Sequence, residues 1–147
     1  MSFRVILVAL VVAALSAGCT ATTSLTAAQG GTSLEIKETS KANLPRSETL
    51  GATTFGNYEF KAASPGLEPL YGVLPLRLNG TYMALDILFF CPALFFNLRE
   101  VFPHYELDLE KRVIRYKKKD SDPWVEYLPT AEESARALKF FSAAKRD

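Results

Sequence analysis

His104-Tyr105-Glu106-Leu107-Asp108-Leu109-Glu110-Lys111-Arg112-Val113-Ile114-Arg115-Tyr116-Lys117-Lys118 decides the fold class of this chain. Apolar and charged side chains alternate in both arms, the period of a strand with one face buried and one wet. Pairing Asp108 with Val113 closes a four-residue loop, Leu109-Glu110-Lys111-Arg112. The same register sets Tyr105 against Tyr116, Leu107 against Ile114 and Glu106 against Arg115. Apolar and aromatic partners then share one face while opposite charges meet on the other, each pair contributing a few tenths of a kcal/mol up to about 1 kcal/mol.

Moving outward, residues 124–127 predict a further short strand after Asp122-Pro123. Pro129-Thr130-Ala131-Glu132-Glu133 then announces a helix over 130–145: Thr130 as N-cap with Glu133 three residues on is a capping box, and both glutamates suit the positive end of the helix dipole. Ala131, Ala135, Leu138 and Phe141 recur at helical spacing and predict its buried stripe. Upstream, two apolar runs within 73–88 flank Asn79-Gly80, the mark of a type I′ hairpin that would pair Leu78 with Thr81, Leu76 with Met83 and Leu74 with Leu85. Leu34-Glu35-Ile36-Lys37 and residues 53–61 alternate as strands, Tyr58 and Phe60 on one face, Glu59 and Lys61 on the other. Ser64-Pro65-Gly66 is a turn, and the polar stretch 39–50 with Pro45 reads as a loop. The fold class is therefore mainly β (α+β): a small antiparallel β-sandwich-like domain over 34–147 with one C-terminal helix.

Asn57-Tyr58-Glu59-Phe60-Lys61-Ala62-Ala63-Ser64-Pro65-Gly66, followed by residues 70–78, is similar to the PEGA-type and carboxypeptidase-regulatory-like β-sandwich modules, in which a strand runs through a Gly turn into a second apolar strand. The resemblance covers about a fifth of the chain. It implies a small antiparallel sandwich with binding or structural roles and brings no catalytic residues with it.

The amino terminus carries a different signal. Arg4, an apolar run over 5–15 and the small residues Ser16-Ala17-Gly18 are the three parts of a secretory signal peptide, and the run is too short for a membrane span of about 20 residues. Leu15-Ser16-Ala17-Gly18-Cys19 resembles the lipobox of bacterial lipoproteins, with the leucine one place further from the cysteine than usual. That resemblance implies cleavage before Cys19, with diacylglycerol on its sulfur and an N-acyl chain on its new amino terminus. More than one chain is what stable anchoring requires. Thr20, rather than Asp, follows the cysteine, which by the sorting rule of such lipoproteins favours the periplasmic face of the outer membrane over the inner membrane. Residues 20–33 are rich in Thr, Ala and Gly and predict a flexible tether behind the lipidated Cys19.

Removing 18 of 147 residues leaves 129, enough for one domain. Setting aside Arg4, 16 basic residues face 16 acidic ones, so no global field recruits nucleic acid. With Cys19 lipidated, Cys91 has no intramolecular disulfide partner. Cys91 and the single histidine, His104, form the one thiol dyad the composition permits, yet the apolar neighbours of Cys91 disfavour a thiolate. A serine hydrolase using His104 lacks a Gly-x-Ser-x-Gly elbow, and no ligand spacing predicts a metal site. No cofactor is expected beyond the covalent lipid.

Two stretches stand out as contact candidates. Lys117, Lys118 and Lys119 form the one basic concentration; with Asp120-Ser121-Asp122 following at once it reads as a solvated strand end, and otherwise as a patch suited to an anionic surface. Phe89, Phe90, Phe95 and Phe96 lie in a run over 82–98 that is apolar or aromatic except for Asp86 and Asn97, and is either core or an exposed apolar patch. The expected role is that of a non-catalytic structural or interaction module, anchored in the envelope and meeting a protein or lipid partner. The rival readings are a carrier of lipid or another hydrophobic ligand, through residues 89–96, and a thiol or serine hydrolase.

Overall fold

A computed structural model of the chain describes residues 20–37, 39–53, 55–80, 84 and 98–144. The hairpin takes the expected register: β9 (His104–Asp108) and β10 (Val113–Lys117) pair Asp108 with Val113, Leu107 with Ile114, Glu106 with Arg115 and Tyr105 with Tyr116. Arg112, at a φ of 57°, completes the turn between them. β11 (Val125–Tyr127) extends the sheet from β10.

On the other side of β9 lies an unexpected strand. β1 (Thr20–Ala27) runs parallel to β9, Ser24 beside His104, and antiparallel to β4 (Arg46–Gly51), Thr20 beside Gly51. The five-stranded sheet has the order β11-β10-β9-β1-β4. The flexible tether expected over 20–33 is therefore corrected: its first eight residues are an inner strand, and the fold begins at Thr20 rather than at 34. The threonines that made the stretch look like coil are β-branched and suit a strand. Thr23 and Leu25 point into the core, while the alternate polar residues lie on the wet face. The loop expected over 39–50 is likewise corrected, since it holds β3 (Ala42–Asn43) and the edge strand β4. An edge strand needs only one apolar contact, and Leu50 provides it.

The second sheet has the order β3-β2-β5-β6, with β2 (Ser33–Ile36), β5 (Glu59–Ala63) and β6 (Leu70–Val73) antiparallel throughout. Thr53 and residues 55–58, predicted as strand, instead form a turn and an entry segment, residue 54 lying outside the described residues. Gly66, at a φ of 78°, sits in the turn between β5 and β6, as the 57–66 pattern implies. Leu25, Leu50, Tyr105, Leu107 and Ile114 of one sheet meet Leu34, Ile36, Phe60, Ala62 and Leu70 of the other in one buried cluster. This is a β-sandwich-like core, and burying each such side chain is worth roughly 1.5–3 kcal/mol.

β7 (Leu76–Leu78) pairs with β8 (Arg99–Val101), Leu76 beside Val101, Arg77 beside Glu100 and Leu78 beside Arg99. The Asn79-Gly80 hairpin is thus corrected in its described half, its other half lying outside the described residues. A type I′ turn needs positive φ at both central residues, and neither Asn79 nor Gly80 has it. The Arg77–Glu100 ion pair at 2.6 Å and the Leu76–Val101 contact give β7 a better partner.

The helix α1 (Ala131–Ala143) packs on β6 and β5 against the outside of the second sheet. Its capping box is as expected: Glu133 N–H donates to Thr130 Oγ1 at 3.2 Å, and Thr130 N–H donates to Glu133 Oε2 at 2.8 Å. The buried stripe is corrected. Ala137 and Phe141 face the sheet, while Ala131, Ala135 and Leu138 face outward. The docking polar groups explain the rotation: Ser134 Oγ donates to Tyr71 O at 3.0 Å and Arg136 Nε lies 3.4 Å from Glu59.

Candidate functional site

The registers define two ends of the sandwich. Thr20 and Gly51 close the first sheet at one end, and Thr53 bridges beyond them to Arg99, which also pairs with Leu78. Lys117, His104 and Ser24 share one row of the sheet. From that row the chain leaves β10 toward the Thr20 end, runs through 118–123 and returns at Trp124 into β11. One end thus gathers the start of β1, Thr53 with Phe55 and Gly56, the β7–β8 tip and the loop over 118–123.

Exposed large apolar side chains mark this end. Phe55 is 80% exposed, Leu78 63% and Trp124 40%. At the opposite end, loops 28–31, 64–68 and 109–112 contribute no exposed large hydrophobic residue, and Leu128, beyond β11, contributes one at 64%. The turn that displays Phe55 is built locally: Gly56 N–H donates to Thr53 Oγ1 at 2.7 Å and Arg99 Nη2 donates to Gly56 O at 3.2 Å.

The three lysines of the predicted basic patch divide by role. Lys117 is occupied, its ammonium donating to Asp120 O at 2.9 Å, lying 3.6 Å from the Asp120 carboxylate and 4.8 Å from the centre of the Trp124 ring. Asp122 accepts from Lys119 N–H at 3.1 Å and closes the loop. The Lys118 and Lys119 side chains are exposed and have no ion-pair partner among the described residues. Beside them a shallow cleft of about 260 Å³ is lined by the apolar surfaces of Phe102, Tyr116, Pro123 and Val125, with Lys117, Lys118 and Asp122 at its edge. The Phe102 and Tyr116 rings stack in its wall at 4.2 Å.

His104 Nε2 lies 3.5 Å from Asp120 Oδ1, on the wet face of the sheet. Ser24 is its ladder neighbour, and no hydrogen bond joins the two side chains among the described residues. Among the described residues no three His, Cys, Asp or Glu side chains gather to hold a metal ion. Cys19, Phe89, Phe90, Cys91, Phe95 and Phe96 lie outside the described residues, and with them the carrier and thiol readings. Among the described residues no helix is long and apolar enough to cross a membrane.

Two polar assemblies hold the frame. Arg115 donates to Glu106 at 2.5 Å, Asp108 at 3.1 Å and Glu126 at 3.0 Å, tying β9, β10 and β11 together. Asp108 also accepts from Lys111 N–H and from Gln29 Nε2, both at 3.0 Å. The Lys111 N–H holds its carboxyl below the usual carboxylate range; burial opposes this, and Gln29 and Arg115 add to it. At the helix start, burial and the bonded Glu133 carboxylate push the Tyr127 hydroxyl up to about 12.

Sequence reasoning found the lysines but not their apolar companions. Phe55 stands alone among small residues, and Leu78 was assigned to the Asn79-Gly80 hairpin. Trp124, the one tryptophan, five residues after the basic run, is the signal available. Comparison of the chain with protein families, with curated proteins and with solved structures finds no match in any of the three.

Proposed function

We propose that this chain is a lipid-anchored lipoprotein of the bacterial envelope, acting without catalysis as a structural or interaction module on the periplasmic face of the outer membrane. The carrying observation is a continuity: the signal pattern ends at Cys19, and Thr20, the next residue, is already the first residue of β1. Acyl chains on Cys19 would hold a packed domain at the bilayer with no spacer between them. The exposed apolar and basic side chains gathered at the Thr20 end support the same reading, since such patches on a small domain mark contact surfaces.

Metabolic labelling of the full chain in a bacterial host with an alkyne analogue of palmitate tests it. Label should appear on the native chain in the membrane fraction and disappear in Cys19→Ala, which should accumulate as precursor. Equal labelling of both chains, or none of either, would contradict the anchor.

A further inference from the structure

We propose that the Thr20 end of the sandwich is a phospholipid-headgroup contact face, in which Trp124, Phe55 and Leu78 enter the interfacial layer while Lys118 and Lys119 meet lipid phosphates. The inference deepens the anchor reading and rests on it for the presence of a bilayer, but the face is argued from three separate features of the fold.

The first is where the chain enters. Residues 1–19 precede β1 and join it at Thr20, so whatever holds them at a membrane brings this end of the sheet toward that membrane. The second is the gathering of apolar surface. Phe55, Leu78 and Trp124 come from three separate segments and share one end; the far end exposes Leu128, beyond β11, among Glu68, Glu110, Lys111 and Arg112. Tryptophan suits the headgroup level because its ring is apolar and its N–H is polar. The third is charge. The Asp120 carboxylate is matched by Lys117 and Glu100 is paired with Arg77, while Asp122 accepts from the Lys119 N–H and keeps its charge on the loop. Lys118 and Lys119 stand as two outward cations at the rim against the one carboxylate of Asp122, leaving the rim net positive and complementary to anionic headgroups. Their joint loss should weaken contact with an anionic surface roughly 30-fold at low salt and far less at high salt.

The single tryptophan makes the face directly readable. The full chain, isolated from membranes, is reconstituted into vesicles of phosphatidylethanolamine and phosphatidylglycerol, some carrying a brominated lipid as quencher. Trp124 emission should shift to the blue and be quenched most by bromines near the headgroups, with quenching reduced in the Lys118→Gln/Lys119→Gln chain. A chain with Trp124→Phe and Glu110→Trp moves the probe to the opposite end and should be quenched little. Equal quenching of the two probes, or stronger quenching at 110, would overturn the proposal. The mass of residue 19 in the same samples separates the two readings. Quenching at 124 with an unmodified Cys19 would sustain the face and remove the anchor, and a lipidated Cys19 without quenching at 124 would do the reverse.

Discussion

The Lys117 ammonium sits 4.8 Å from the centre of the Trp124 ring, bound at the same time by Asp120 O. One side chain thereby fixes both the loop over 118–123 and the orientation of the indole that it displays. Lys117→Met keeps the stem and removes the charge, so the loss is that of a half-exposed cation–π contact and an ion pair, about 0.5–1 kcal/mol. Acrylamide quenching of Trp124 in the lipid-free state should rise. An unaltered quenching constant would show that Lys117 does not hold the ring.

Leu25 is fully buried between the sheets although it stands in a stretch of Thr, Ala and Gly. If β1 is an inner strand, Leu25→Ala should cost about 2–5 kcal/mol in chemical denaturation, and the amides of β1 should exchange hydrogen as slowly as those of β9. A cost near zero with fast exchange over 20–27 would restore the tether.

The contrast between these strands shows what the sequence makes legible. The β9–β10 register could be read because both faces carry information, Leu107 with Ile114 on one and Glu106 with Arg115 on the other. The capping box at Thr130 and Glu133 is a local device and was equally legible. β1 was not, because its hydrogen-bonding partners, β4 and β9, are distant in the chain and its wet face of Thr22, Ser24 and Thr26 looks like linker composition. Asn79-Gly80 misled for the opposite reason: a strong local turn preference gave way to the Arg77–Glu100 pairing some twenty residues away. The helix stripe held at Phe141 but not at Ala131, Ala135 and Leu138, because Arg136 and Ser134 dock on Glu59 and Tyr71, partners that no helical wheel contains. For the candidate site, Lys118 and Lys119 were found from local charge, whereas the gathering of Phe55, Leu78 and Trp124 depends on topology.

Glu59 is the least exposed carboxylate of that helix interface, with Lys37 Nζ at 3.7 Å and Arg136 Nε at 3.4 Å. Its Oε2 makes no hydrogen bond to described groups, so it depends on those cations. Arg136→Met should destabilise the fold by about 1–2 kcal/mol, moderated by the half-exposed guanidinium, and adding Glu59→Gln should recover part of that. Additive losses in the double-mutant cycle would mean that the pair is not coupled.

Asp108 fixes a direction of pH dependence. Its carboxyl is held below the ordinary value of 3.8 by the Lys111 N–H, against burial, so the folded state binds its proton less tightly than the unfolded chain. The stability it confers is complete above about pH 4 and is lost as pH falls through the lower folded value. Asp108→Asn should flatten the acid limb of the stability curve below about pH 4, read by urea melts at stepped pH. An unchanged acid slope would assign acid sensitivity elsewhere.

The anchor itself is tested most directly by the intact mass of the native chain recovered from membranes. The account predicts a polypeptide that begins at Cys19 and carries a diacylglyceryl group and an N-linked acyl chain. A chain that still begins at Met1, or one that begins at residue 19 with a free thiol, would contradict it.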